Sequence, residues 1–554
     1  MATLQERIQP ALDVRDASLE PTAILSKSKR LPLNVISIPR ACGLLSKLEL
    51  DLTESYDATA LLQKLALGEV SSVTLLTAFR KRATIAQQCT NCLTELIPEA
   101  LNDARACDDY FSKTGKLIGP LHGLPVSVKE QIAVRGLRTN AGFVAWVNNV
   151  VDEDSDIVRS LKKLGAVVFA RTNQPQSLMH LETSNNIYGA TVHPENRNLT
   201  AGGSTGGEAA LMAMGGTPLG IGGDIGGSIR VPAAYNGIYG FLPTPGRISG
   251  EGVVIPTPGS DAISGTLGPF ARSLRDIELF CTAYSSAFPW VEDRSLIPGD
   301  ILSPSLGRQL SQDRRLRVGF MFDNGVVSPL PPVHRVLSSV SQRLMNSADI
   351  ELVPFVPWDH AKAWSIIAAN YFEDTGEDIR KKCAEGDEPL EPLTEWILEQ
   401  CEHSTLAVGK TLQERKAARD AYRRAYATHW NKSGIDVLVS PVTPGTAPPL
   451  GTSKYWAYTA VWNLLSYPAI AIPASKLVGE ANHAKDLEAE TYVPKNDIET
   501  HLLKGYSAET SAGMPVGVQV VAPRLHESML IKASYIIEEA LKASELSEIL
   551  KSKM

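Results

Sequence analysis

Between Thr200 and Ala234 the chain reads TAGGSTGGEAALMAMGGTPLGIGGDIGGSIRVPAA, and this stretch carries 11 of its 42 glycines. Glycine loses more backbone freedom on folding than any other residue. It is placed where the chain must take a positive φ or approach another group closely. Ser204 and Ser228 each directly follow a Gly-Gly pair. The pattern predicts two loops in which bare backbone surrounds a hydroxyl, and hence a pocket built largely from main chain. Any fold open to this sequence must accommodate those two loops.

The flanking segments point to an α/β architecture. Ser155–Asn173, SDIVRSLKKLGAVVFARTN, reads as an amphipathic helix, a stop at Gly165 and a continuous apolar strand. Such uninterrupted apolar strands belong to sheets covered on both faces. Further strand-like runs fall at Val167–Ala170, Leu219–Ile221, Arg317–Phe320, Val437–Val439, Ile470–Ile472 and Val516–Val521, with the charge-rich Lys410–Asn431 a clear helix between two of them. Ala58–Gln88 has apolar residues at helical spacing and predicts two helices broken near Gly68. Residues 1–50, interrupted by Pro21, Pro32 and Pro39, read as an irregular arm. The expected division is an N-terminal arm over 1–56, a catalytic domain over 57–540 and a C-terminal tail over 541–554. Residues 286–314 are expected to form a linker or insertion, and Lys476–Thr510 a loop.

Composition removes several classes of function. Lys and Arg number 54 against 61 Asp and Glu, a net charge of −7 without a basic block, so nucleic acid is not an expected partner. No window reaches the ~18 consecutive apolar residues that a membrane span needs. The first twenty residues lack the apolar core of a secretory leader, and the expected location is cytoplasmic. Seven scattered cysteines do not make a disulfide scaffold. Cys89 and Cys92 form a lone C-x-x-C, and His180 with Glu182 a lone H-x-E without the P-C-x-x-C of a zinc deaminase. No metal and no cofactor are expected.

Three chemistries compete for the glycine loops. Gly202 and Gly207 have P-loop spacing, but Glu208 and Ala209 stand where a lysine and a Ser/Thr should follow, and a carboxylate repels phosphate. Gly202-x-Ser204-x-Gly206 matches the G-x-S-x-G elbow of α/β-hydrolases, yet the preceding ENRNLT is too polar for the strand that motif requires. Its histidine would come from among residues such as His429 or His526, neither in a distinctive context. The third reading joins both serines to Lys129, which ends the apolar run in GPLHGLPVSVKE. Burial disfavours an ammonium, and a lysine made neutral in this way can act as a general base without histidine. Ser204 could then carry a proton between Lys129 and Ser228, while N–H groups around Gly226 and Gly227 face an attacked carbonyl oxygen.

The motifs HGLPVSVKE, LTAGGSTGGEAAL, GGDIGGSIRVPAAYNGIYGFLPTPGRIS, VLVSPVTP, NLLSYPAIAIP and GMPVGVQVVAPRLHESML occur in this order. Together they resemble the amidase signature family, most closely its fungal acetamidase and general amidase branch, over about Ser71–Leu530. The resemblance implies a large mixed central sheet covered by helices on both faces, in a single catalytic domain with an N-terminal helical arm. It implies Ser228 as acyl-enzyme nucleophile, Ser204 as bridging serine after a cis peptide bond, and Lys129 as base. The N–H groups of Ile225, Gly226, Gly227 and Ser228 are expected to form the oxyanion hole, and Leu178 or Met179 to line the acyl pocket. The implied activity is cleavage of a carboxylic amide, with small or aryl primary amides as the expected substrates. Longer-chain amides, a partner-dependent transamidation subunit and a silent binding protein are the alternatives, and a homodimer is an open possibility.

Three residues depart from the family pattern: Glu130 for the usual Asp, Thr205 for a serine, and Gly223 for a frequent Thr or Ser. They bear on the hydrogen bonding around the triad rather than on the triad itself. Asp224 and Arg230 are expected to form a structural ion pair shaping the Ser228 loop. Gly206 and Gly207 are expected to serve packing at the start of the next helix.

Overall fold

The computed structural model describes residues 3–26, 30–304, 314–476 and 491–552, with residues 543–552 described as backbone alone. Eleven strands form one sheet: β1 Leu93–Leu96, β2 Pro125–Lys129, β3 Val167–Thr172, β4 Leu219–Asp224, β5 Tyr239–Leu242, β6 Thr266–Ala271, β7 Leu316–Phe320, β8 Ile350–Pro354, β9 Val437–Pro441, β10 Ala469–Lys476 and β11 Pro515–Val521. Their order is β1-β3-β2-β4-β6-β5-β10-β11-β9-β7-β8. The sheet is mixed. β2 runs parallel to both β3 and β4, and β7 to β8 and β9, while the other neighbours are antiparallel.

Helices cover both faces, and the strand pattern shows why both must be covered. Successive side chains of a strand point to opposite faces. Ile470 and Ile472 of β10, with Val437 and Val439 of β9, enter one apolar cluster. Ala469, Ala471 and Leu438, interleaved with them, enter another. With apolar residues at every position, neither face can be left to water.

The helix expected before Gly165 spans Asp156–Lys163 and leads into β3. Gly165 has φ +88°, and a Cβ there would fall 2.9 Å from the His122 Cα, so glycine answers two demands at once. The Ala58–Gln88 segment forms helices Ala58–Ala66 and Ser72–Thr90, the second capped by the Ser71 hydroxyl. Residues 1–50 are less irregular than expected. Helix Leu4–Ser18 begins at a Thr3/Glu6 capping box and runs through Pro10, and Ser46 with Glu49 caps helix Lys47–Glu54. The arm is tied down from outside itself: the Ser18 hydroxyl accepts from the Leu96 N–H at 2.9 Å, and Arg80 pairs with Glu20.

In the expected linker, Arg247 donates to the carbonyls of Ile297 and Gly299, and residues 305–313 lie outside the described residues. The loop expected over Lys476–Thr510 is corrected where it is described: β10 runs on to Lys476, and helices occupy Asp497–Gly505 and Ala508–Ser511. Residues 477–490 lie outside the described residues. The segment expected as a tail continues helix Glu527–Ser552. Among the described residues, no helix is long and apolar enough to cross a membrane.

β4 also shows why a glycine-rich strand lies at the centre of the sheet. Glu208 is fully buried and binds the hydroxyls of Ser127 and Thr172. Its carboxyl occupies the space beside Gly220, where a Cβ would lie 2.0 Å from Oε1. Gly220→Ala is therefore expected to destabilise the protein by about 1–3 kcal/mol, the usual range for overpacking. Gly223→Ala, whose Cβ would meet nothing nearer than 3.6 Å, is expected to change little. Urea midpoints measured at unchanged slope check both.

Candidate active site

β2 and β4 run parallel, with Ser127 opposite Gly220 and Val128 opposite Ile221, so both chains leave the sheet at the same edge. Crevices at the carboxyl ends of parallel strands are where α/β sheets place their sites. β2 delivers Lys129 to this edge, and β4 delivers Asp224 and the loop that carries Ser228.

Lys129 is 2% exposed, and its Nζ lies 2.7 Å from the Ser204 Oγ. Loss of hydration pulls its pKa from the ordinary lysine value down to about 7, against the opposing pull of Asp224 and Glu130. The strand end is held by charges that satisfy one another. Glu130 accepts from the N–H groups of Asn140 (2.6 Å) and Ala141 (3.0 Å) and from the Gln174 amide (2.6 Å). Arg171, fully buried on β3, bonds the Glu130 carbonyl and pairs with Glu95 at 2.9 Å. The substitution of Glu for Asp at 130 thus leaves every carboxylate oxygen engaged.

The Ser204 loop owes its shape to contacts that only glycine tolerates. The Gly203–Ser204 peptide is cis, as the resemblance implies. A Cβ on Gly203 would lie 2.5 Å from the Glu182 N, and one on Gly207 2.5 Å from the Asn173 backbone. Gly206 and Gly207 accordingly serve packing at the start of helix Gly206–Ala213. The Thr205 N–H donates to the Ser228 carbonyl at 3.2 Å, which fastens the two glycine loops together.

The Ser228 loop is built around Asp224. Its carboxylate accepts from the N–H groups of Gly227 (2.7 Å) and Ile229 (3.1 Å), from the Arg230 guanidinium (3.0 Å) and from the Asn463 amide (3.0 Å). Asp224 and Arg230 have side chains of zero exposure, and form the structural pair expected of them. Burial alone would raise the Asp224 pKa, but the guanidinium and these donors hold it below the ordinary carboxylate value. One expectation is corrected here. The Gly227 N–H is turned to the Asp224 Oδ1 and does not face the cavity free. The N–H groups of Ile225, Gly226 and Ser228 have no acceptor among the described residues. Gly223 has room for a Cβ, which would meet nothing nearer than the Leu267 side chain at 3.6 Å.

Lys129, Ser204, Ile225 and Ser228 line one cavity of about 320 Å³ together with Leu178 and Met179. Tyr371 and Phe372 also line it, and no motif would have announced them. Helix His360–Tyr371 reads in sequence as an ordinary apolar helix.

The rival residues lie elsewhere. Among the described residues, no histidine lines the cavity. His429 Nε2 meets the Val356 carbonyl and His526 Nδ1 the Arg524 carbonyl. Glu182 accepts the Gly451 N–H, and burial lowers the His180 pKa to about 3, leaving a neutral ring. Burial also pushes the Cys89 and Cys92 thiols up to about 12. Among the described residues, no group of His, Cys, Asp and Glu could hold a metal ion.

Comparison with known proteins identifies the family. Residues 74–531 match the amidase family. A Schizosaccharomyces pombe protein named as a presumed amidase is 44% identical over 524 residues, covering 94% of this chain and 96% of its own. The acetamidase of Emericella nidulans is 34% identical over 509 residues, 89% of this chain and 90% of its own. In three dimensions a fatty acid amide hydrolase superposes with a TM-score of 0.88 at 32% identity, covering 97% of this chain and 94% of that one. Family match, full-length similarity and fold agree, and the chain belongs to the amidase signature family, hydrolases of carbon–nitrogen amide bonds.

Proposed function

We propose that this amidase cleaves small primary amides through an acyl-enzyme on Ser228, with Ser204 as proton relay and Lys129 as base. The observation that carries the reading is the 2.7 Å contact between the Lys129 Nζ and the Ser204 Oγ, with the lysine only 2% exposed. In the neutral amine the Nζ has a lone pair, and the Ser204 O–H donates to it. Ser204 is then free to accept a proton from Ser228.

The Ser228 Oγ attacks the amide carbon as its proton passes to Ser204 and the Ser204 proton to Lys129. Negative charge gathers on the carbonyl oxygen, beside the N–H groups of Ile225, Gly226 and Ser228. Preorganised donors of this kind stabilise the transition state because they need no reorientation when charge appears. The proton returns by the same route to the nitrogen, and ammonia leaves. Water then attacks the ester, delivering its proton along the same chain, and the acid is released.

The size of the cavity supports small substrates. About 320 Å³ lies at the lower end of the ~300–1,000 Å³ common to ligand pockets. Similarity to an acetamidase favours the same choice. The superposition on a fatty acid amide hydrolase favours a second reading, in which the apolar wall at Leu178 and Met179 takes a longer acyl chain.

A sulfonyl fluoride or fluorophosphonate is expected to modify Ser228, as located by peptide mass mapping, and an adduct on Ser204 would reverse the assignment. Ser228→Ala is expected to lose at least about three orders of magnitude in kcat, and Ser204→Ala to be severely impaired.

Lys129 must be deprotonated to act, so kcat/KM is expected to rise with pH through about 7 and to fall as the ammonium forms below that. Lys129→Arg cannot deprotonate near neutrality and is expected to be as inactive as Lys129→Ala. A pH–rate profile that retains its acid limb in Lys129→Ala would remove the lysine from this role.

Comparing kcat/KM for a short aliphatic, an aryl and a long-chain primary amide separates the two substrate readings. The long chain is expected to be the poorest. Apolar pockets discriminate by only ~1–3 kcal/mol per methylene, so the order rather than the size of the differences decides.

A further inference from the structure

We propose that the Tyr371 hydroxyl is an additional hydrogen-bond donor to the substrate's carboxamide oxygen, acting beside the Gly226 N–H. The inference rests on Ser228 being the nucleophile and adds a group that the glycine motifs do not contain.

Tyr371 is the last residue of helix His360–Tyr371, is 4% exposed and lines the same cavity as Lys129, Ser204 and Ser228. A Cβ built on Gly226 would lie 2.3 Å from its hydroxyl oxygen and 3.1 Å from the Trp456 Nε1. The phenol therefore rests against the backbone of the loop residue whose own N–H is without an acceptor. This close approach gives Gly226 a reason to be glycine that the turn itself does not supply, since its φ is not positive.

The direction of the O–H follows from its partners. The Trp456 indole N–H donates to the Tyr371 oxygen at 3.1 Å and occupies one acceptor position. Trp456 is itself held between Trp364 and Trp396, each in edge contact at 5.4 Å between ring centroids. The Tyr371 proton has no acceptor among the described residues. Burial, with the nearby Asp224, drives the phenol pKa further above its ordinary value, so the group stays protonated across the working range. A buried donor left unpaired is unfavourable, a penalty relieved when a ligand supplies the acceptor. A carboxamide oxygen is that acceptor, and it becomes a stronger one as the Ser228 Oγ attacks and charge develops. No proton needs to leave Tyr371. Its hydrogen bond shortens as the tetrahedral intermediate forms and lengthens as it collapses.

Tyr371→Phe removes one oxygen and keeps the ring. Loss of one such donor is expected to lower kcat/KM by about 10²-fold, mostly in kcat. The affinity for a trifluoromethyl ketone, which forms a charged tetrahedral adduct on serine, should weaken in parallel. The variant also orphans the Trp456 N–H, which could impair the enzyme through structure alone. The double variant Tyr371→Phe/Trp456→Phe separates these causes by removing the orphan. It should remain as impaired as Tyr371→Phe if the phenol donates to substrate. Recovery in the double variant, or a Tyr371→Phe enzyme within about twofold of the parent in kcat/KM and ketone affinity, overturns the proposal. Full turnover by Ser228→Ala would instead mean that the nucleophile has been misassigned, a failure distinguishable from that of Tyr371.

Discussion

The buried carboxylate of Asp224 is the interaction on which the rest of the site depends. A carboxylate moved from water into an apolar interior loses several kcal/mol of hydration, and it persists there only when its lone pairs are filled and its charge is opposed. Asp224 meets both conditions with the Arg230 guanidinium, the Asn463 amide and the N–H groups of Gly227 and Ile229. Those donors come from the loop after β4, from helix Arg230–Asn236 and from helix Ala457–Leu465. The path of the chain around Ser228 is thus dictated by the needs of one charge. Consuming the Gly227 N–H is part of that solution.

Lys129 presents the opposite case, a charge that its surroundings do not retain. Its Nζ meets a neutral hydroxyl rather than a carboxylate, and Asp224 and Glu130, the acids close enough to influence it, are committed to other partners. Burial therefore outweighs attraction, and the amine approaches neutrality near pH 7. Glu208, two residues back along β2 through its bond to Ser127, follows the same rule: its pKa is pushed up to about 8 by burial. The pairs Asp224–Arg230 and Arg171–Glu95 fix backbone, whereas Lys129 meets only the Ser204 hydroxyl.

Much of the core was legible from residue order because its physics is local. The break at Gly68, the helix–Gly165–strand step and the runs that became β3, β4, β7, β9, β10 and β11 all appear in the structure. Four strands carried weaker signals. β6 contains Gly268 and Pro269, β5 has Gly240, β1 has four residues, and β8 lies half-buried at the sheet edge. Each is a strand because of its neighbours: Pro269 pairs with Ile221 across β4, a position propensity alone would forbid. The helix at Leu4–Ser18 was obscured by Pro10 and by having only Ile8 and Ala11 buried, and its anchoring contacts come from residues far along the chain.

By itself the sequence determined the family, the strand alternation that requires both faces of the sheet to be covered, and the positions of Lys129, Ser204 and Ser228. Motif spacing and glycine placement are properties of neighbouring residues, and survive without coordinates. Only the tertiary structure decided which N–H groups remain free, how deeply Lys129 is desolvated, and that Tyr371, 143 residues after Ser228, closes the wall against Gly226. Those outcomes depend on the hydrogen-bond partners and the burial that distant segments impose, and no short stretch of the chain contains either.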